Sequence, residues 1–346
     1  MSDTTTKQMS QELNAAGLQI QAQPLTSESL MRNILTQQGL KNLNLAPRAK
    51  IVGDFAQEGA IGYLFAPRGE GKTWMGLYLA KCIASGQAFG PYKVGRPWPV
   101  LYIDGEMNIR SLQDRMESLP AESEELRLCS ADLLWRQLPQ SFKGLDFNST
   151  ELQTKFLKVI DMLKPKVVFI DNLSCTFFGM NENEASDWEQ AMPFLAQLKH
   201  RGILIIILHH TTKKGDEMRG TSKREDQADF IIRLTKLDDG KAEKGTLRLK
   251  TEFTKNRNCE LDEENDELGW TFDFNNGIPA NVSFRVFSKR QQVLLAIKRG
   301  MTNCPEIAEE LRISRSHVYS LVKRLEADGL VWNKDGVYTA VDPNLA

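Results

Sequence analysis

Short apolar runs alternate with helix-like periods between residues 60 and 274. Five runs are nearly continuous in apolar residues, at 61–65, 100–104, 166–171, 203–208 and 229–234. Strands of this kind, separated by helices, are typical of a parallel sheet covered by helices on both faces. Two later segments, 246–253 and 270–274, instead alternate polar and apolar residues, which predicts an antiparallel pair. The pattern therefore predicts an α/β domain.

The pattern changes at both ends of this region. The first 50 residues are polar, with one predicted helix at 27–40, and we interpret them as an arm or linker, although such arms can also bind neighbouring subunits. Near the carboxyl terminus, three short helical periods and a hairpin predict a separate small domain. The predicted division is 1–50, 51–282 and 283–346.

Composition and charge exclude some classes of protein. A chain of 346 residues allows one large domain and a smaller one, and 41% hydrophobic with 26% charged residues argues against a fibrous, disordered or membrane-spanning chain. The 44 Lys and Arg residues balance 45 Asp and Glu residues, so nucleic-acid contacts must come from local clusters. Scattered cysteines and a polar amino terminus without a secretory signal predict a cytoplasmic protein that has no disulfide framework or paired-cysteine zinc site.

The first apolar run leads directly into a glycine-rich loop. APRGEGKT (66–73) is followed by an amphipathic helix, which is the context of a phosphate-binding P-loop. Lys72 would neutralise the β- and γ-phosphate oxygens of ATP, and Thr73 would bind Mg²⁺. Ala66 stands where the usual motif has its first Gly, which requires a backbone that an L-residue can adopt. The predicted nucleotide-binding residues are Ala66, Pro67, Arg68, Gly69, Glu70, Gly71, Lys72, Thr73 and Trp74.

Polar residues end three further predicted strands. Asp171 ends the run at 166–171 and would hold Mg²⁺. Glu106 lies two residues past the end of the run at 100–104 and would polarise the attacking water. Asp104 is the alternative, although it belongs to the strand itself. His209 and His210 follow the run at 203–208, and either could sense the γ-phosphate or be an ordinary buried histidine.

These elements, in this order, resemble those of RecA-like ATPases, and specifically of plasmid RepA-like hexameric replicative helicases. The matching segments span residues 60–260 and are APRGEGKTW, VLYIDGEM, VVFIDN, LHHTTKK, RGTSKREDQADFIIRL and KNRN. The resemblance implies a RecA-like P-loop ATPase core and a ring of subunits, most simply a hexamer. It also implies that Glu106 is catalytic and that His209 or His210 couples hydrolysis to DNA.

The same resemblance suggests where DNA and neighbouring subunits would bind. It places the loop 213–224 in the channel of the ring, where the basic residues Lys213, Lys214, Arg219, Lys223 and Arg224 would grip single-stranded DNA. It places Lys255 and Arg257 against the nucleotide of the neighbouring subunit. On the residues alone, the loop can also be a solvated surface loop, and the two cations can be solvated charges beyond a strand end.

The small carboxyl-terminal domain resembles a winged helix. Its second predicted helix is capped by Ser314 and turns Val318, Leu321, Val322 and Leu325 inward. The candidate DNA-binding residues on its outward face are Arg315, Ser316, His317 and Lys323. From residue 288 onward there are nine Lys and Arg residues and seven Asp and Glu residues, so the domain is only mildly basic. A protein-binding role therefore stays open beside DNA binding.

The sequence therefore predicts an ATP- and Mg²⁺-dependent, ring-forming DNA motor. The main hypothesis is a replicative helicase of a plasmid, phage or mobile element, whose winged helix assists DNA binding or loading. Two alternatives stay open. One is an ATP-dependent recombination factor that binds single-stranded DNA without unwinding, and the other is a DNA-binding regulator whose assembly state is set by nucleotide.

Overall fold

The structure is a computed structural model that describes residues 26–177, 185–211, 222–237, 244–258, 267–275, 278–286, 288–334 and 336–341. The chain divides into two compact units, residues 1–47 and residues 48–346.

Among its described residues, the first unit contains two short helices, α1 (Ser27–Arg32) and α2 (Gln37–Lys41). Each follows its own threonine cap, because the side chains of Thr26 and Thr36 accept a backbone N–H three residues further on. The single helix predicted for 27–40 is therefore wrong, since the second cap begins a new helix inside that range.

The second unit begins with a small hairpin of β1 (Lys50–Val52) and β2 (Ala56–Gln57). A large sheet follows, and its strands among the described residues are β3 (Ile61–Ala66), β4 (Val100–Asp104), β5 (Leu126–Ser130), β6 (Val167–Asp171), β7 (Leu204–His210), β8 (Phe230–Lys236), β9 (Thr246–Asn256), β10 (Glu267–Asp273) and β11 (Asn281–Val286). Their order is β11-β10-β9-β8-β3-β7-β6-β4-β5. The strands from β8 to β5 are parallel, and β9, β10 and β11 pair antiparallel.

Helices cover both faces of this sheet. They are α3 (Lys72–Ser85), α4 (Ile109–Ser118), α5 (Ala131–Gln137), α6 (Thr150–Leu163), α7 (Leu173–Thr176), α8 (Ala185–His200) and the short α9 (Ser222–Gln227). Because neighbouring side chains on a strand point to opposite faces, Leu64 packs in a core with α3 and α4, whereas Tyr63 packs in a second core with α6 and α8. The predicted α/β domain with helices on both faces is confirmed.

The strand predictions succeed in the interior of the sheet and fail at its edges. All five apolar runs are strands, and the two alternating segments form the antiparallel pair β9 and β10. The prediction omits β5 and β11, which lie at the two edges and expose several side chains, so neither has a continuous apolar run. Strand β11 also crosses the predicted boundary at 282/283, and the sheet ends at Val286 instead.

The carboxyl-terminal residues form three helices and a hairpin around a core of their own. These elements are α10 (Lys289–Lys298), α11 (Cys304–Leu311), α12 (Arg315–Ala327), β12 (Val331–Lys334) and β13 (Val337–Ala340). Ser314 caps α12 by accepting the backbone N–H of His317, and the four predicted inward residues are buried. The predicted winged helix is confirmed. Every helix in the described part of the chain is too short or too polar to cross a lipid bilayer.

Lys81 is a buried cation that joins α3 to α4. Its side chain is 4% exposed and donates to the carbonyls of Met116 (2.7 Å) and Leu119 (2.6 Å) near the end of α4. Burial lowers the pKa of Lys81, and these two bonds to helix-terminal carbonyls offset the cost. We expect Lys81→Met to lower the free energy of unfolding by about 1–3 kcal/mol, because two carbonyls near the end of α4 lose their donor. Urea denaturation measures this difference.

A matched control is Lys155→Met, which removes an ion pair to Glu151 whose two side chains are 69% and 77% exposed. Such exposed pairs contribute less than about 1 kcal/mol, so this variant should unfold close to the wild type. Equal losses in the two variants would contradict the stabilising role of Lys81.

Candidate active site

The loop between β3 and α3 has the backbone of a phosphate-binding loop. Gly69 and Gly71 have φ angles of 78° and 85°, in the left-handed region that glycine adopts without strain. A Cβ at Gly71 would also lie 3.1 Å from a methyl carbon of Leu249. Ala66 is the last residue of β3, so the position that usually holds glycine is extended strand here. The two glycines that remain are those whose conformation requires them.

Lys72 begins α3 and points its ammonium back over this loop. Its Nζ donates to the carbonyls of Ala66 (3.1 Å) and Pro67 (3.2 Å) and lies 2.9 Å from Nδ1 of His210. Burial lowers the pKa of Lys72 to about 8, although the nearby carboxylate of Asp171 opposes this shift. An ammonium that has lost most of its water interacts strongly with an anion such as a phosphate.

Asp171, at the end of β6, lies beside the first turn of α3. Its carboxylate accepts hydrogen bonds from the hydroxyls of Tyr102 (2.6 Å) and Thr73. Burial raises the pKa of Asp171 above its ordinary range, because nothing there fully replaces the water around a carboxylate. The sequence prediction missed Tyr102, which points from β4 toward the end of the neighbouring strand.

A magnesium ion fits this arrangement. The hydroxyl of Thr73 and the carboxylate of Asp171 are hard oxygen ligands, and a cation would relieve the desolvation of the carboxylate. No group of three or more His, Cys, Asp or Glu side chains forms a metal site among the described residues. The ion would therefore take its remaining ligands from nucleotide phosphates and water.

The two candidate bases after β4 have different surroundings. Asp104 is fully buried and accepts the backbone N–H of Met107 at 3.2 Å, so it stabilises the turn after the strand. Burial, with Asp171 nearby, raises the pKa of Asp104 to about 7. Glu106 is exposed, and its carboxylate accepts a hydrogen bond from the side chain of Asn172. Only Glu106 of the two lines the cavity beside the loop.

The two histidines that end β7 point to opposite faces of the sheet, as neighbours on a strand do. His210 pairs in register with Ala66, and its ring lies between Nζ of Lys72 and Nδ2 of Asn172, at 2.9 and 3.4 Å. Both of these partners are hydrogen-bond donors, whereas a neutral imidazole has only one acceptor nitrogen. The shorter contact, with Lys72, is therefore the stronger one. His209 is fully buried and does not line the cavity. His210 is therefore the candidate sensor.

Most of the predicted nucleotide-binding and catalytic residues meet at one cavity of about 450 Å³. Those that line it are Arg68, Gly69, Gly71, Lys72, Thr73, Trp74, Glu106, Asp171 and His210. Glu70 does not line it, because its carboxylate accepts the backbone N–H of Lys236 at 2.9 Å.

Six lining residues were not predicted as site residues: Met107, Arg115, Asn172, Ser174, Cys175 and Leu247. The guanidinium of Arg115 lies 5.1 Å from the centre of the Trp74 ring, as a cation over an aromatic face. Arg115 and Leu247 belong to α4 and β9, outside every recognised motif, so the sequence contains no signal for them.

Lys255 and Arg257 lie away from this cavity. Strand β9 runs antiparallel to β8, so Lys255 pairs with Ile231 near the start of β8. This is the end of the parallel strands opposite the glycine loop. The two side chains donate to the carbonyls of Glu225 and Asp226 in α9. Burial, followed by the neighbouring Arg257, lowers the pKa of Lys255. Neither residue lines the nucleotide cavity of its own chain.

The candidate DNA-binding residues fall into two groups. Lys213, Lys214 and Arg219 lie outside the described residues, and Lys223 and Arg224 belong to α9 with side chains outside the description. In the winged helix, Arg315, Ser316, His317 and Lys323 are all exposed on α12.

Comparison with known proteins identifies the families of the two domains. A family model described as an AAA domain matches residues 26–216. The chain belongs to the AAA domain family. A second family model, described as a helix-turn-helix domain, matches residues 289–336. The AAA domain is thus a RecA-like P-loop ATPase domain, followed by a small winged-helix domain, as the sequence predicts.

Among solved structures, the flagellar accessory protein FlaH from Methanocaldococcus jannaschii is similar to this chain. The two share 13% sequence identity with a TM-score of 0.42, over 65% of this chain and 91% of that one. No curated protein sequence matches the chain.

Proposed function

We propose that this protein is an ATP-dependent, ring-forming DNA motor that unwinds DNA, of the plasmid RepA-like replicative helicase type. The observation that carries the proposal is the meeting of Lys72, Asp171, Glu106 and His210 at one cavity in a protein that also has a helix-turn-helix domain. The four residues are of the kinds that carry out ATP hydrolysis, and the helix-turn-helix domain is a common DNA-binding module.

In this proposal each side chain has a separate task. Lys72 would bind the β- and γ-phosphates, and Thr73 and Asp171 would hold Mg²⁺, which would supply charge neutralisation on those phosphates. Glu106 polarises the attacking water. His210 contacts Lys72 at one end and leads directly into the basic residues that follow β7. It would therefore transmit the presence of the γ-phosphate to a DNA-binding loop at 213–224.

Assembly into a ring would give Lys255 and Arg257 their role. Both are cations at the end of the parallel strands opposite their own nucleotide cavity, so neither can stabilise the transition state there. A neighbouring subunit packed against that end would bring its nucleotide to them. This is the arrangement of an arginine finger that acts in trans.

The winged helix would bind duplex DNA near the site where the motor loads. The four exposed polar residues on α12 lie on the face that enters a DNA groove in helix-turn-helix proteins. Basic side chains on this helix and in the loop at 213–224 would make binding sensitive to salt.

Three measurements test this function. They are the ATPase rate with and without single-stranded DNA, the particle size, and strand displacement on a forked duplex. We expect a ring whose ATPase is strongly stimulated by single-stranded DNA and which displaces the strand. Stimulation without displacement would instead indicate a recombination factor. Slow ATPase that ignores single-stranded DNA, with tight duplex binding, would indicate a regulator.

A further inference from the structure

We propose that Asn172 is a positioning residue that holds the carboxylate of Glu106 in place for catalysis. The inference rests on the proposed ATPase function and gives a role to Asn172, which ends the segment VVFIDN but has no role assigned there. Asn172 directly follows Asp171, is 2% exposed and lines the nucleotide cavity. Its side-chain amide donates to Oε2 of Glu106.

The orientation of the Asn172 amide follows from its other partner. The backbone N–H of Cys175 donates to Oδ1 of Asn172 at 3.1 Å, which makes Asn172 the N-cap of α7. A backbone N–H is only a donor, so the atom that faces it must be the amide oxygen. The amide nitrogen must then face the cavity, where it can donate two hydrogens. A donor aimed at a carboxylate forms a strong, charge-assisted bond.

Asn172 is held firmly enough to fix another side chain. Its backbone carbonyl accepts the hydroxyl of Thr176 at 3.0 Å, and its side-chain oxygen accepts the backbone N–H of Cys175 in α7. Glu106 is exposed and has three side-chain torsions, so its carboxylate loses considerable freedom when it is ordered. The buried residue therefore supplies the rigidity that the exposed one lacks.

The register of the sheet brings the two residues together. Strands β4 and β6 are parallel neighbours in which Asp104 pairs with Asp171, so the chain leaves both strands at the same edge. The backbone N–H of Gly105 donates to the carbonyl of Asp171 at 2.7 Å and holds the two segments together just past the strands. Asn172 engages only Oε2 of Glu106, so the second carboxylate oxygen would be the one that polarises water in the cavity that Glu106 lines.

The variant Asn172→Ser separates positioning from structure. Serine keeps an oxygen that can cap α7, but it is too short to reach Glu106 and has no amide. We expect kcat, measured at saturating ATP, Mg²⁺ and single-stranded DNA, to fall about 10- to 100-fold, since a misplaced catalytic group has this cost. The affinity for a non-hydrolysable ATP analogue and the urea midpoint should match the wild type. The control Ser149→Ala, which removes the cap of α6, should leave kcat unchanged.

A double-mutant cycle with Glu106→Gln decides the role. If Asn172 acts through the Glu106 carboxylate, adding Asn172→Ser to Glu106→Gln should cause no further loss in single-turnover hydrolysis. Independent, multiplying losses would overturn the inference, as would wild-type kcat in Asn172→Ser. A wild-type protein without ATPase activity would overturn the proposed function and this inference together, whereas normal wild-type turnover confines any failure to Asn172.

Discussion

Glu106→Gln is expected to bind ATP as the wild type does and to hydrolyse it about 10² to 10⁴ times more slowly, the usual contribution of a general base. Glutamine has nearly the same shape and can still accept the hydrogen bond from Asn172, but it cannot take a proton from water. Lys72 and Thr73, which are proposed to bind the phosphates and Mg²⁺, are unchanged by this substitution. Single-turnover hydrolysis and the affinity for ATP, measured on the same preparation, separate the two effects.

Asp104→Asn is the matched control, because Asp104 is the other carboxylate at the end of β4. It supports the turn through the N–H of Met107 and does not line the cavity, so an isosteric asparagine that keeps one acceptor oxygen should lose much less activity. If Asp104→Asn lost hydrolysis while Glu106→Gln turned over at the wild-type rate, the two carboxylates would have to exchange roles.

The interior of the sheet could be predicted because burial on both faces leaves a plain mark on the sequence. A parallel strand between two helix layers, such as β7, must be apolar at nearly every position, and its residues are all buried. An edge strand such as β5 carries no such requirement, and two of its five residues are exposed. The edge strands were therefore not predicted, because their sequences resemble those of polar loops.

The site was predictable to the extent that it depends on strand ends. Glycine spacing and the strand-end acids indicate Lys72, Thr73, Asp171 and Glu106, because parallel strands deliver their carboxyl ends to one crevice. Contacts between those ends depend on register, which sequence pattern does not give. The choice between His209 and His210 is of this kind, since it depends on which of them faces the glycine loop.

Side-chain partners from neighbouring strands were beyond prediction for the same reason. Tyr102 looks like one more apolar residue of a buried strand, and only the pairing of β4 with β6 places its hydroxyl on Asp171. Asn172 looks like a residue that merely follows the predicted magnesium ligand, and only the structure brings its amide to Glu106. In both cases the position of one polar atom decides the role of the residue.

Arg257→Ala is expected to lower kcat by about 10³ to 10⁵, the range reported for arginine fingers, while each subunit keeps its affinity for ATP. The reason is the location of Arg257. It is exposed at the end of the parallel strands opposite its own nucleotide cavity, so its removal leaves that cavity intact and, in the proposed ring, would remove a charge only from a neighbour's site. Arg285→Ala, on the edge strand β11, removes an exposed arginine elsewhere on the sheet and should retain activity.

Mixed assemblies distinguish action in trans from simple damage to the fold. An Arg257→Ala subunit retains Lys72, and a Lys72→Ala subunit retains Arg257, so neither variant alone forms a complete site. When the two are mixed, sites in which Lys72 of one subunit faces Arg257 of the next become complete, and ATPase activity should reappear with a maximum at intermediate ratios. Particles that contain both variants but show no recovery at any ratio would contradict action in trans. Substantial activity in Arg257→Ala alone would mean that the cation is not needed, because a subunit that hydrolyses ATP without it has all the charge stabilisation it requires within its own cavity.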